Sequence, residues 1–139
     1  MIRGSCFCGK ITYTVSGQLS KARSCHCSRC RKAFSSQASA YAEIEEGSFT
    51  WTSGQHLLKS YTNKHGFGLQ FCSLCGSTLC GTHNDKVHGL TLGCLDDDPN
   101  IEIEMHIYVG SKANWEKLPE NILKYDERPQ EHSDESRTK

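Results

Sequence analysis

Cys25-His-Cys-Ser-Arg-Cys30 places three cysteines within six residues, and two further pairs, Cys6-Phe-Cys8 and Cys72-Ser-Leu-Cys75, stand on either side of it. Seven of the nine cysteines lie in these three short clusters, a spacing that presents thiolates to metal. In an extended segment residues i and i+2 share a face, so Cys6 and Cys8 offer two sulfurs on one side. Cys72 and Cys75, followed by Gly76, read as a knuckle whose turn brings both sulfurs to one ion. Two plus two close a four-sulfur tetrahedron, the pattern of structural zinc, with Zn–S near about 2.3 Å. Such a site would tie the N-terminus to the middle of the chain. Redox dithiols or buried free cysteines fit this arrangement poorly, because two intact dithiol motifs stand beside a third cluster.

The middle cluster has a different count. A CxC and a CxxC share one cysteine, so Cys25, Cys27 and Cys30 supply three sulfurs. Three protein donors, with a fourth position for water or substrate, is the arrangement of catalytic zinc. Thiolate-rich metal also accepts an incoming thiolate well. A fourth protein ligand would close the site, and Cys80, Cys94 and several histidines are the candidates. The two isolated cysteines read more readily as small buried hydrophobes. His26 lies between two ligands and, in a strand, points away from the metal. His65, His83 and His88 read as loop or strand-end residues with no assigned role. His106 reads as a satisfied or exposed strand histidine, and Trp115 as core. Asp96-Asp-Asp98, followed by Pro99-Asn100, reads as a turn and offers too few oxygens for calcium.

The bulk numbers set the frame. A chain of 139 residues is long enough to bury about two-thirds of its unfolded surface. It carries 16 basic and 16 acidic residues, and this neutrality argues against a general nucleic-acid binder. The balance is uneven along the chain. Arg3, Lys10, Lys21, Arg23, Arg29, Arg31 and Lys32 precede the first acid, Glu43, so the cysteine triplet lies in a positive stretch. Nearby cations favour thiolate over thiol and attract anions; the plainer reading is a solvated basic face. The N-terminus lacks the apolar core of a signal peptide, and no run approaches the roughly 18 apolar residues of a membrane span. The chain therefore reads as cytoplasmic, where clustered cysteines are metal ligands or catalytic groups more often than disulfides.

The hydropathy pattern is mostly β. Ile11–Val15, Gln37–Ile44 and Phe49–Thr52 read as strands, Leu57–Thr62 and Gly66–Phe71 as a hairpin around Asn63-Lys64-His65, and Val87–Leu92 and Glu102–Val109 as two more alternating runs. Leu79 and Cys80 fall in a further strand. Even strand spacing with turn residues between predicts a mainly β fold of antiparallel sheets with few short helices. Helical turns are expected at Ser28–Phe34 and at Ser111–Leu118, the second ended by Pro119. Residues 1–129 read as one zinc-stapled domain, and residues 130–139 as a disordered polar tail.

These residues, in this order, resemble the glutathione-dependent formaldehyde-activating enzyme family, which includes the centromere-protein-V-like domains. The resemblance runs from Gly4-Ser-Cys-Phe-Cys-Gly9 through Cys25-His-Cys-Ser-Arg-Cys-Arg-Lys32, Phe71-Cys-Ser-Leu-Cys-Gly-Ser77 and Gly93-Cys-Leu-Asp-Asp-Asp98. It continues to His106-Ile-Tyr-Val-Gly-Ser-Lys-Ala-Asn-Trp115 and Tyr125-Asp-Glu-Arg-Pro129. It implies a tent-like β fold, structural zinc at Cys6, Cys8, Cys72 and Cys75, and a second, catalytic zinc at Cys25, Cys27 and Cys30. The implied reaction is the addition of glutathione's thiol to formaldehyde or a related small aldehyde, giving S-hydroxymethylglutathione, formally that of a carbon–sulfur lyase. Glutathione is then the co-substrate, and Arg31 and Lys32 are candidates to bind its carboxylates. The alternative is a non-catalytic module of the same fold that binds glutathione or another thiol, or docks a protein. Two departures stand out: Ser35 where the family often has Gly, and Cys94 where Thr is common.

Overall fold

The computed structural model describes residues 1–129, so the expected tail at 130–139 lies outside the described residues. Among these, the first strands are β1 (Ile2–Ser5), β2 (Thr12–Val15) and β3 (Ser20–Cys25), followed by helix α1 (Ser28–Phe34). Next come β4 (Ser39–Glu43), β5 (Phe49–Ser53), β6 (Leu58–Thr62) and β7 (Phe67–Cys72). The strands β8 (Thr78–His83), β9 (Lys86–Thr91) and β10 (Met105–Ile107) complete the set. The mainly β expectation holds. No helix among the described residues is long and apolar enough to cross a membrane.

Contacts divide the described residues into two compact units, one formed by Met1–Ala22 with Ala40–Glu102, the other by Arg23–Ser39 with residues 103–129. In the first unit, β2 lies between β1 and β5, antiparallel to both. A second antiparallel run follows the order β4-β9-β8-β7-β6. The β6–β7 hairpin turns where its sequence says it should. Asn63 Oδ1 accepts the amides of His65 at 2.9 Å and Phe67 at 3.1 Å, and Gly66 takes φ +84°. An Asn side chain that bonds backbone ahead of it, followed by a glycine free to adopt positive φ, is turn chemistry independent of the rest of the fold.

The core of this unit gathers Cys6, Ile11, Tyr13, Val15, Leu19, Leu79, Cys80 and Leu90, all at or below 5% exposure. Alternation in β2 sends Tyr13 and Val15 inward and leaves Thr12 and Thr14 partly exposed. Tyr13 packs on Phe49 with ring centroids 5.0 Å apart and on Trp51 at 5.8 Å. Its ring also lies directly over its cross-strand partner Gly4, where a Cβ would overlap the ring. The glycine is required here for space, not for backbone conformation.

The second unit departs from the sequence expectation in three ways. Its one strand pair, β10 with the end of β3, is parallel, with Met105 opposite Arg23 and Ile107 opposite Cys25. The expected run Glu102–Val109 shortens to β10. The helical turn expected over Ser111–Leu118 does not form; a 3₁₀ turn over Val109–Ser111 precedes it instead. Lys112 Nζ donates to the carbonyls of Ala113 at 3.0 Å and Glu116 at 2.6 Å, so a side chain takes acceptors that helical amides would otherwise use. The helical turn expected after the cysteines is α1, and it ends on Ser35 in the left-handed region, φ 51° and ψ 43°. The Ser35 position thus has the conformation a glycine would adopt without strain.

Two substitutions test these points by chemical denaturation. Gly4→Ala should destabilise the chain by about 1–3 kcal/mol, because the methyl group meets the fixed Tyr13 ring. Ser35→Gly should stabilise it by about 0.5–1 kcal/mol: relief of left-handed strain exceeds the added freedom of the unfolded chain.

Candidate metal centres

The N-terminal pair reaches its position through a tight turn: the Gly9 amide bonds the Cys6 carbonyl at 2.9 Å, and Gly9 takes φ +79°. Cys72 closes β7, and the Gly76 amide returns to the Cys72 carbonyl at 2.9 Å with φ +81°. Amides also point at the sulfurs, Ile11 N to Cys6 Sγ and Leu74 N to Cys72 Sγ, both at 3.4 Å. Ser77 joins the halves, since its hydroxyl accepts from the Phe7 amide at 2.8 Å and lies 3.5 Å from Cys75 Sγ. The result brings Cys6, Cys8, Cys72 and Cys75 together, with all four sulfurs within 4.8 Å of one another. Cys6 and Cys8 sulfurs are 3.6 Å apart, and those of Cys8 and Cys72 are 3.9 Å apart. A zinc tetrahedron with bonds of about 2.3 Å has sulfur–sulfur edges of about 3.8 Å, so the set fits the ion in donor type and spacing.

The protons of such a group are unevenly held. Burial opposes ionisation of Cys75, but the Ser77 hydroxyl and amide and the Cys8 amide outweigh it and lower the thiol to about 5. At Cys8 the Lys10 amide favours the thiolate, yet burial and the three neighbouring sulfurs drive it up to about 11.

The second cluster is built at the junction of β3 and α1. Cys25 is the last residue of β3 and is 5% exposed. Cys27 caps α1 in an extended conformation, with its Sγ accepting the Cys30 amide at 3.3 Å. Cys30 follows in the first turn, and the three sulfurs lie within 4.8 Å of one another. The neighbouring thiols of Cys25 and Cys30, helped by the Cys30 and Arg29 amides, lower Cys27 to about 2 against its burial. Cys27 and then Cys30 push Cys25 up in turn, and burial adds to the rise. Three soft sulfur donors suit zinc, and among the described residues no fourth Cys, His, Asp or Glu joins the set.

The other sequence candidates lie outside both sets. Cys80 is fully buried and donates to Gln70 Oε1 at 3.2 Å. Cys94 points at the Thr78 carbonyl at 3.5 Å, close enough to Cys6 and Cys75 for their charge to reinforce the rise that burial imposes on it. Arg31 and Lys32 occupy the last turn of α1, half-buried and exposed respectively. Asp96 and Asp97 serve the first unit as anchors: Asp97 accepts a bidentate Arg3 guanidinium at 2.8 and 3.0 Å, and Asp96 accepts the Ser5 hydroxyl at 2.9 Å. Trp115 is not core, being 73% exposed; with no helix over this segment, Ala113 turns inward in its place.

His26 is fully buried, and its Nε2 lies 2.9 Å from His106 Nδ1. Its Nδ1 lies 3.5 Å from Glu116 Oε2. Burial lowers both imidazoles below their ordinary value, with the Glu116 charge opposing the shift in each. His26 therefore stands outside the sulfur set, on the opposite side of the extended chain, and His106 is the satisfied strand histidine. Glu116 carries no signal in the sequence, because its approach depends on how the chain beyond β10 folds back.

With this geometry in place, known proteins supply the wider setting. A model of the family described as glutathione-dependent formaldehyde-activating enzyme matches residues 1–111. Among solved structures, the chain is similar to the crystal structure of a Rhodobacter sphaeroides protein, a Northeast Structural Genomics target. The two share 22% identity at a TM-score of 0.57, over 69% of this chain and 89% of that one, a likeness of fold. No curated protein matches the chain. A family match over residues 1–111 that spans all seven clustered cysteines makes the chain a member of the glutathione-dependent formaldehyde-activating enzyme family.

Proposed function

We propose that the chain is a zinc-dependent carbon–sulfur lyase-type enzyme that adds the thiol of glutathione to formaldehyde or a related small aldehyde. The observation that carries this reading is the convergence of Cys25, Cys27 and Cys30, three sulfurs within 4.8 Å with no fourth protein donor among the described residues. Cys6, Cys8, Cys72 and Cys75 would hold a structural ion, and Cys25, Cys27 and Cys30 a catalytic one. When bound, zinc at the triplet supplies a Lewis-acid centre that stabilises thiolate over thiol at neutral pH.

The chain's own groups account for the rest. Three thiolates around a divalent ion carry a net charge of −1, and cations nearby offset it. Arg29, Arg31 and Lys32 flank Cys30 on α1 and suit the carboxylates of a tripeptide. The reaction balances without an oxidant or reductant. A sulfur–carbon bond forms, the carbonyl π pair moves to oxygen, and the thiol proton ends on that oxygen through water. Since this addition proceeds unaided, holding the partners together provides the acceleration.

NMR exchange measurements of the glutathione–formaldehyde adduct test the reading. Zinc-loaded protein should raise the exchange rate above buffer, and Cys27→Ser should return it to the buffer rate while the chain stays folded. An unchanged exchange rate with wild-type protein, despite bound glutathione, would leave a thiol-binding module and refute the enzyme. A chelator that strips all zinc should also lower the melting temperature sharply, because the four-sulfur set ties the N-terminal turn to β7. An identical melting curve would rule out a structural ion.

A further inference from the structure

His26 is the one residue whose backbone both Cys25 and Cys27 share as a neighbour. In extended chain its ring and the two sulfurs occupy opposite faces. Any rotation of the chain at His26 therefore swings both sulfurs. What holds that ring decides how well the triplet is preorganised.

The ring is held from a rigid place. The His26 amide continues the β3–β10 ladder by bonding the Ile107 carbonyl at 2.9 Å. On its other side β10 is fastened twice more, with the His106 amide to the Leu123 carbonyl and the Tyr125 amide to the His106 carbonyl, both at 2.9 Å. His106 is thus fixed by backbone on two flanks, and its Nδ1 meets His26 Nε2 at 2.9 Å. The rings lie 5.2 Å apart at an interplanar angle of 27°. Glu116 Oε2, itself buried, stands 3.5 Å from the other nitrogen of His26. The ring is fully buried and hydrogen-bonded at Nε2, while Nδ1 and Glu116 Oε2 face each other without a hydrogen bond, so it is the His106 contact that fixes the ring's orientation.

We propose that His106 is a positioning residue for the Cys25, Cys27 and Cys30 centre, acting through His26 to aim the two flanking sulfurs before metal arrives. The inference rests on the reading that the triplet holds a metal. Three like-charged donors on a mobile segment would have to be ordered at the moment of binding. The His26–His106 contact does that ordering during folding. Groups hydrogen-bonded to the ligands themselves typically change metal affinity by about 10–100-fold when removed; His106 stands one residue further back, which puts its effect at the low end of that range.

Zinc competition against a graded chelator series provides the test, with Cys27→Ser identifying which of the two dissociation constants belongs to the triplet. His106→Leu and His106→Gln should weaken the triplet constant by about tenfold or more while the four-cysteine centre in the same chain keeps its own. His106→Asn places an amide nitrogen where Nδ1 stood and should restore the triplet to within about twofold of wild type, whereas the Gln amide lies one atom too far out. A wild-type constant in His106→Leu overturns the proposal, as does an Asn variant as weak as the Leu variant. Equal weakening of both centres would mark general loss of packing and overturn it too. If Cys27→Ser removes no zinc constant, the metal reading of the triplet falls, and this inference with it.

Discussion

In the first centre the Cys6 and Cys8 sulfurs stand 3.6 Å apart, and Cys8 meets Cys72, 64 residues away in sequence, at 3.9 Å, a crowding that joins the N-terminal turn to the end of β7. Four thiols that close must share protons or share a cation. Burial and the neighbouring sulfurs raise Cys8 while the Ser77 hydroxyl and nearby amides lower Cys75, so the set does not ionise evenly by itself. A divalent ion would remove the conflict by holding all four as thiolates. The glycines at 9 and 76 and the amide-to-sulfur bonds are the backbone's preparation for that state. The core around Tyr13, Leu79 and Leu90 packs beside Cys6 and Cys72, which belong to the same buried cluster.

The second centre uses the same donor chemistry with one sulfur fewer, and the difference comes from local chain geometry. A strand end, an extended cap and a first helical turn can aim three sulfurs at one point within six residues. The cap does two tasks at once. Cys27 Sγ accepts the amide that a Ser or Asp usually caps, which stabilises the helix start and favours its thiolate.

Support for that centre comes from behind it. The period of an extended strand that sets Cys25 and Cys27 on one face necessarily sets His26 on the other, into the interior. A buried imidazole needs partners, and the parallel strand β10 supplies one from far along the chain. Parallel pairing requires a long connection. This one brings residues past 100 back to the triplet, and with them Glu116.

Much of this was written in the sequence. Cysteine spacing marked the two pairs and the triplet, because CxC and CxxC are short enough for local geometry to aim both members, and the count of two plus two matched the pairs that the fold brings together. Strand alternation and the Asn63 turn marked most of the antiparallel strands for the same reason: the signal lies within a few neighbouring residues. The parallel partner of β3, the exposure of Trp115 and the approach of Glu116 to His26 were decided only by tertiary structure. The strand pairing and the approach of Glu116 depend on where a segment some eighty or ninety residues away comes to rest, and Trp115 is exposed because its own segment forms no helix. No periodicity in the segment records that place, and where a helical turn was expected Lys112 instead reaches the carbonyls of Ala113 and Glu116.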